Sequence, residues 1–404
     1  MSDRYPGGLI RKTPPTITPP VDGEGGSAPG IWTLEQVAYY IKEGEWPKGV
    51  LPRELYAWGN GGYGRTGLNT TDNSSSPTQV GSLTNWSQIA GGDEHSLAIK
   101  TDGTMWSWGR GADGRPGQNN TVDLSSPVQI GALTTWSQIA VGSAQNLAIK
   151  TDGTMWSWGD GSVGQLGHNN TTTLSSPVQV GALTTWYDLS SGWRHSLAIK
   201  TDGTMWSWGG ANTGQLGLNS TINVSSPVQI GALTTWLQVS AGAYHSLAIK
   251  TDNTLWGWGA AGVGRLGNSS LINRSSPVQI GALTNWSQVS AGGNHSLAIK
   301  TDGTMWSWGL ASAGRLGNNS VLNVSSPVQI GALNTWLQVA AAYAHSLGLK
   351  TDGTMWSWGS NSVGRLGLGD LVYHSSPVQI GALTTWSQLP KIPTSSHSLA
   401  ITKG

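Results

Sequence analysis

The sequence predicts an all-β fold: a seven-bladed β-propeller of four-stranded blades, closed by a split blade to which both termini contribute, and preceded by a flexible arm and one short helix. Three observations carry this. The dipeptide Trp-Gly recurs at Trp58, Trp108, Trp158, Trp208, Trp258, Trp308 and Trp358, a step of 50 residues without insertion, and a fixed period of this size marks a repeat architecture. Every copy contains short alternating apolar runs separated by turn residues, which read as strands. The repeat region also opens at Glu54–Gly59, in register with the third strand of a copy, and reaches His397–Ile401, in register with the second. Each end therefore lacks what the other provides.

Within a copy, Trp136–Ala140, His195–Ile199, Thr104–Trp108 and Pro127–Ile130 exemplify the four strands. Between the second and third, Lys100-Thr-Asp-Gly-Thr104 is a hairpin turn in which Asp-Gly supplies the positive φ of a tight connection. One copy has Asn253 in place of that glycine, and Asn is the residue that best tolerates the left-handed region after Gly. Circular closure is favoured over an open solenoid because it leaves only short, protected edges.

Composition bounds the function. The 404 residues contain 58 Gly and 23 Trp but no Cys or Phe, and 22 Lys+Arg balance 21 Asp+Glu. Thiolate metal sites, disulfides and cysteine nucleophiles are excluded. A net charge of +1 gives no field to attract nucleic acid, and no apolar run reaches the length of a spanning helix, so neither nucleic-acid binding nor membrane insertion is expected. The opening Met1–Pro6 lacks the apolar core of a secretory signal, and sequons such as Asn69, Asn120 and Asn219 then read as polar turns.

Three recurring residue sets invite a catalytic or ligand-binding reading. Twenty of the 23 tryptophans are periodic, which assigns them to blade packing and leaves Trp193 as the one irregular indole of the propeller. Histidine recurs at His95, His195, His245, His295, His345 and His397, with Gln145 in the remaining copy. Spread around a ring, they are expected to hold a repeated hydrogen bond at the first turn and not a metal. Ser96, His95 and Asp102 are the residue types of a hydrolase triad, but they are replicated in almost every copy, whereas a catalytic site breaks a repeat's symmetry. No catalytic residue, metal or cofactor is assigned, and the protein is expected not to be an enzyme.

Variation among copies points to one face. The second turn and the link Ile-Gly-Ala-Leu-Thr-Thr-Trp hardly change, whereas the first and third turns differ from copy to copy. These turns emerge at the same end of a four-stranded meander and form a variable rim, the expected recognition surface. Its candidate binding residues are Trp193, Arg194, Tyr244 and Tyr343, which are hot-spot types, together with Asp93, Glu94, Arg110, Asp113 and Tyr63.

The pattern His-Ser-Leu-Ala-Ile-Lys-Thr-Asp-Gly-Thr-Met-Trp-Ser-Trp-Gly, followed by G-x-L-G, resembles the regulator of chromosome condensation repeat over residues 53 to 404. The resemblance implies a seven-bladed propeller with split-blade closure. The family's founding members are exchange factors for a nuclear-transport GTPase and contact nucleosomes. Two departures set this chain apart: the strict 50-residue step leaves no room for an extra wedge hairpin, and the charge gives no footprint for DNA.

Ahead of the propeller, residues 1–30 are a Pro- and Gly-rich arm without a fold of its own, and residues 31–52 hold a short helix and linker. Thr33 and Gln36 form a capping box, Leu34, Val37 and Ile41 share a helix face, and Gly44 ends the helix. With Trp32 and Trp46 they form a candidate anchor. The string Gly-Ile-Trp-Thr-Leu-Glu-Gln followed by Glu45-Trp-Pro47 resembles a segment that recurs in bacteriophage virion proteins, including tail fibres. That resemblance implies a virion component on the particle surface or tail, made in the host cytoplasm. It would be anchored to other virion proteins by the arm and would contact a host-surface receptor through the rim. The alternative is an intracellular propeller scaffold or a regulator resembling a GTPase exchange factor.

Overall fold

Each 50-residue copy folds as a meander of four antiparallel strands. In the copy that starts at Trp86 these are Trp86–Gly91, His95–Lys100, Met105–Gly109 and Leu124–Gln129, hydrogen-bonded in sequence order. Seven such sheets form in the computed structural model, which describes residues 52–391 and 396–404 and the backbone of a small ladder pairing Arg4–Tyr5 with Gly8–Leu9. We number blades I to VI from those starting at Trp86, Trp136, Trp186, Trp236, Trp286 and Trp336. Blade VII is composite, ordered Trp386–Gln388, His397–Thr402, Leu55–Gly59, Ser74–Gln79, so two strands come from each end of the chain. The arm and helix residues Trp32, Leu34, Val37, Ile41 and Trp46 lie outside the described residues.

Boundaries differ from the expectation chiefly at the fourth strand, which starts at Leu124 and not at Pro127. Leu-Ser-Ser-Pro lacks apolar alternation, yet it pairs as the outermost strand, the place where a proline without an N–H is tolerated. The hairpin turn is as expected: Gly103 has φ +76°, its N–H donates to the Lys100 carbonyl at 3.0 Å, and Asn253 takes φ +59° at the matching position. Asp102 is used within that turn, accepting the Thr104 amide at 2.9 Å and its hydroxyl at 2.6 Å. These bonds hold the Asp102 carboxyl below its usual range.

Tryptophan fills the space between and within sheets. Trp86 meets Trp106 edge-on at 6.1 Å and Trp108 at 6.4 Å, and blades III to VI repeat both contacts. The Trp106 N–H donates to the Thr104 hydroxyl at 2.9 Å. By contrast, the buried Trp136, Trp186, Trp236, Trp286, Trp336 and Trp386 N–H groups have no partner among the described residues. These rings are therefore held by packing and edge-on stacking, not by the hydrogen bond expected of every buried indole.

Blades are joined by a repeated polar junction. The carbonyl of Gln215, in blade III, accepts both Trp258 Nε1 at 2.9 Å and Ser246 Oγ at 2.8 Å from blade IV. Ser246 Oγ lies 2.9 Å from His195 Nε2 of blade III. Because the serine hydroxyl donates to the carbonyl, it accepts from the histidine, which places a proton on Nε2, and burial holds the ring neutral. The repeated hydrogen bond expected of the histidines thus exists, but it ties one blade to the next and does not brace its own turn. The same relay recurs with His245–Ser296, His295–Ser346, His345–Ser398 and His397–Ser96. In blade II, Asn146 replaces the serine: its Oδ1 faces His95 Nε2 at 2.7 Å and its Nδ2 donates to the Arg115 carbonyl at 2.9 Å. The junction into blade VII draws on both ends of the chain, since Ser398 Oγ and Trp58 Nε1 donate to the same Arg365 carbonyl at 2.8 and 2.9 Å.

Nearer the axis, glutamines of the first strands perform a similar task. The side chains of Gln238, Gln288 and Gln338 accept the backbone N–H of Val289, Val339 and Leu389 in the next blade, at 3.2, 3.0 and 2.9 Å. Asp188 occupies this position in blade III and accepts the Val239 N–H at 3.4 Å. Its charge is met by Lys391 Nζ, which follows the first strand of blade VII. Lys391→Met is expected to lower stability by about 1–2 kcal/mol, because it leaves a buried carboxylate without its cation. Asp188→Gln restores the repeat and is expected to remove that cost in the double variant. Urea midpoints of the four proteins test this, and strict additivity of the two changes would refute the pairing.

Candidate functional site

The two ends of the propeller are built differently. At one end the second turn packs against its own blade's link, Thr151 N–H donating to the Thr135 carbonyl at 2.8 Å. At the other, the third turn of a blade meets the first turn of the next: Arg65 Nη1 donates to the Asp93 carbonyl at 2.8 Å, Thr213 Oγ1 to Tyr244 at 3.0 Å, and Arg315 Nη1 to Tyr343 at 3.2 Å. The sequence places all nine candidate binding residues in these first and third turns.

Four of them assemble at the mouth of the axial channel. Glycines are needed at the first turns because the chains approach so closely: a Cβ on Gly192 would fall 2.3 Å from the Gly242 carbonyl and 2.4 Å from the His195 ring. Above this constriction Trp193 meets Tyr244 edge-on at 4.9 Å and Tyr343 at 6.4 Å. Tyr343 belongs to blade VI and Trp193 to blade III, so the indole spans the channel mouth. Arg194 is exposed beside it. A cavity of about 290 Å³ between blades III and IV is lined by Trp193, Arg194, Asn212, Thr213, Asn223 and Tyr244. Burial raises the Tyr244 phenol, as does Tyr343, while Arg265 and Arg194 oppose the shift.

A second group sits over blades I, II and VII. Glu94 accepts Arg110 Nη1 at 2.6 Å and Arg115 Nη1 at 2.9 Å, with Arg65 Nη2 at 3.8 Å. Burial pushes the Glu94 carboxyl up, but the bonds from Arg110 and Arg115 outweigh it and hold it below its usual range. Tyr63 lies under the Arg110 guanidinium at 4.7 Å, and Asp113 pairs with Arg115 at 3.0 Å. Tyr63 and Asp113 both take the left-handed conformation, φ 59° and 60°, which turns their side chains out of the Gly62–Gly64 and Ala112–Gly114 turns. Asp93 accepts the Ser143 hydroxyl of blade II at 2.6 Å. Glu94, Arg110 and Tyr63 are thus spent on one another, Asp113 on Arg115 and Asp93 on Ser143, whereas the channel-mouth group presents aromatic edges and, in Arg194, a guanidinium with no ion pair among the described residues.

A search for irregular residues misses the arginines of the G-R-L-G step. Arg65, Arg115, Arg265, Arg315 and Arg365 occupy the same position in five of seven copies, and periodicity disguises them as scaffold. Burial lowers the pKa of Arg65, Arg265, Arg315 and Arg365, which nevertheless remain cations. The Ser–His pairs hold no nucleophile in reserve. Both side chains are buried in every junction, each serine hydroxyl is committed to a carbonyl, and burial pushes His95 and His195 down to about 3. No group of three or more metal-ligating side chains occurs among the described residues.

Comparison with known proteins agrees with this construction. The family model described as the RCC1-like domain matches residues 172–404, and regulator of chromosome condensation (RCC1) repeat models match 54–99 and 102–149, and 86–115 and 136–165. No curated protein matches. Among solved structures, human WBSCR16 is 19% identical with a TM-score of 0.77, covering 87% of this chain and 99% of its own. Yeast RCC1 (Prp20) bound to Kap60 is 21% identical with a TM-score of 0.78, covering 87% and 89%. Prp20p of Saccharomyces cerevisiae, solved separately, is 21% identical with a TM-score of 0.78, covering 88% and 92%. The family match spans more than half of the chain, and the chain belongs to the RCC1-like domain family.

Proposed function

We propose that the protein is a non-enzymatic interaction propeller, a scaffold or regulator that binds a partner protein on the face bearing the first and third turns. The observation that carries this is the Trp193–Tyr244–Tyr343 group with Arg194 at the channel mouth. Aromatic and arginine side chains at the centre of a rigid face are the types that dominate binding energy. The structural neighbours favour the same class: yeast RCC1 (Prp20) is seen bound to Kap60, and Prp20p is described with its binding properties to Gsp1p and histones. An exchange activity is not part of the proposal, because the copies keep a 50-residue step apart from two extra residues before His397, which are too few for a wedge hairpin.

The virion assignment rests on the arm alone, and the comparisons with known proteins add nothing to it. Mass spectrometry of purified particles tests that assignment, and absence from them removes it. For the face, the double variant Trp193→Ala, Arg194→Ala is expected to weaken partner capture by about 2 kcal/mol or more, some 30-fold. Its melting temperature is expected to stay close to that of the parent. Cross-linking mass spectrometry identifies the partner first, and titration of that purified partner reads the affinity. An unchanged affinity would exclude the channel mouth as the binding site.

A further inference from the structure

Two third turns of the ring carry glutamine where the other five carry arginine: Gln165 in blade II and Gln215 in blade III. Both use the side-chain oxygen alike. Gln165 Oε1 accepts the Val163 N–H at 2.9 Å, and Gln215 Oε1 accepts the Thr213 N–H at 2.9 Å and its hydroxyl at 2.7 Å. The nitrogens differ. Gln165 Nε2 donates to Asp160 Oδ2 at 2.9 Å, and the same carboxylate accepts the Ser162 hydroxyl at 3.1 Å and the Ser162 N–H at 2.9 Å. In blade III the residue that matches Asp160 is Gly210, and neither Gln215 Nε2 nor the Asn212 N–H has an acceptor among the described residues. Gln215 is only 5% exposed, so its unmade bond is a cost that bulk water does not relieve.

The place of the missing carboxylate is open. Gly210 does not take a positive φ, and a Cβ there would lie 3.2 Å from the Arg194 carbonyl oxygen and 3.5 Å from Arg194 Cβ, so a side chain fits after a shift of a few tenths of an ångström. The space it would enter is the cavity of about 290 Å³ between blades III and IV, which Gly210 and Gln215 line together with Trp193, Arg194, Asn212 and Tyr244. No Asp or Glu lines it. Arg194 is exposed, and its guanidinium has neither a hydrogen bond nor an ion pair among the described residues.

We infer that this cavity binds a carboxylate supplied by a ligand, which takes the place that Asp160 fills in blade II. One oxygen accepts from Gln215 Nε2, Arg194 meets the charge, and the body of the ligand packs on Trp193 and Tyr244. An amide N–H and a guanidinium are donors only, so they select an acceptor-only anion over a cation. A cavity of this size admits one side chain or one small molecule. The carboxylate comes from an acidic side chain of a bound protein or from a free organic acid. The inference deepens the reading of the face as a recognition surface and, for an acid carried by a protein, rests on it.

The test uses the full chain and two acid–amide pairs as probes: the blocked peptide acetyl-Gly-Glu-Gly-amide with its Gln counterpart, and hydrocinnamate with hydrocinnamamide. Titration followed by ligand-observed NMR reads the affinity. At least one acid is expected to bind about tenfold or more tightly than its amide. Binding of the peptide acid alone assigns the site to a partner's side chain, and binding of hydrocinnamate alone assigns it to a free acid. Gly210→Asp supplies the carboxylate from within the chain and is expected to abolish acid binding while melting at or above the parent temperature. Gln215→Glu keeps the acceptor for Thr213 but removes the donor, and is expected to weaken acid binding by about tenfold or more.

An amide that binds as tightly as its acid overturns the proposal. So does an acid that binds Gly210→Asp or Gln215→Glu as tightly as the parent, and so does failure of both acids to bind. Capture of the native partner is measured alongside. If Trp193→Ala with Arg194→Ala loses that capture but neither acid binds the parent, this inference is refuted and the general one stands. Unchanged capture in the double variant, with an acid bound by the parent, removes the protein-binding reading instead and leaves the cavity as the site of a free acid.

Discussion

Acidification from about pH 7.5 to about pH 5.5 is expected to remove up to about 8 kcal/mol of folding stability, enough to unfold an ordinary domain. Six buried histidines are responsible. Burial pushes His95 and His195 down to about 3 and His245, His295, His345 and His397 well below their usual value, with Arg115 adding to the effect at His95. In the unfolded chain each titrates near 6.5, so below that pH the unfolded state takes up protons that the native state refuses. Stability is thus full above about pH 6.5 and falls by about 1.4 kcal/mol per pH unit for each histidine down to the native value. The turn carboxylates of the Asp102 type act in the same direction but only below their own, lower range. Urea midpoints at half-unit pH steps measure the slope. A variant such as His245→Gln, which copies the natural Gln145, is expected to lower it by one proton, and a flat profile between about pH 7.5 and about pH 5 would contradict the junction chemistry.

Removal of residues 396–404 is expected to abolish cooperative folding of the ring. The strand His397–Thr402 is central in blade VII, between Trp386–Gln388 and Leu55–Gly59, and its Leu399, Ala400 and Ile401 are fully buried. Leu399 and Ile401 each represent about 2–4 kcal/mol of burial. The deletion also takes away Ser398 and His397, and with them the relays on both sides of the composite blade. Circular dichroism and size-exclusion chromatography of the truncated protein, alone and with a synthetic peptide of residues 396–404, check this. The peptide is expected to restore the native elution volume. A truncated chain that melts at the parent temperature would show that closure contributes nothing.

Much of this architecture is legible in the sequence because a 50-residue period repeats every local signal seven times. The Asp-Gly turn, its Asn253 variant and the complementary ends required no tertiary information. The fourth strand's true start was hidden because Leu124-Ser-Ser-Pro127 has no alternation, and only edge pairing makes it a strand. Histidine roles were half legible: repetition signalled a hydrogen bond, but its partner lies 51 residues away in the next blade, a contact that no local pattern encodes. At the candidate site the irregular aromatics stood out against the repeat and do converge, whereas Arg265 and Arg315 did not stand out because they are periodic. Their setting, held by neighbouring carbonyls and hydroxyls with no carboxylate partner among the described residues, is visible only in three dimensions. The Asp188–Lys391 pair is another such case: each residue departs singly from the repeat, and only ring geometry brings them together across blades III and VII.

The Arg365 carbonyl that accepts one donor from Ser398 and another from Trp58 has a consequence for biosynthesis. On the ribosome, blades I to V, which end at Gln329, are complete before residue 398 leaves the exit tunnel, so the nascent protein waits as an open arc with two unsatisfied flanks. Its last assembly step is a contact of very large sequence separation, the slowest kind to form. The facing strands of the unfinished blade stay uncovered during that interval, and translational pausing upstream of residue 397 would lengthen the exposure.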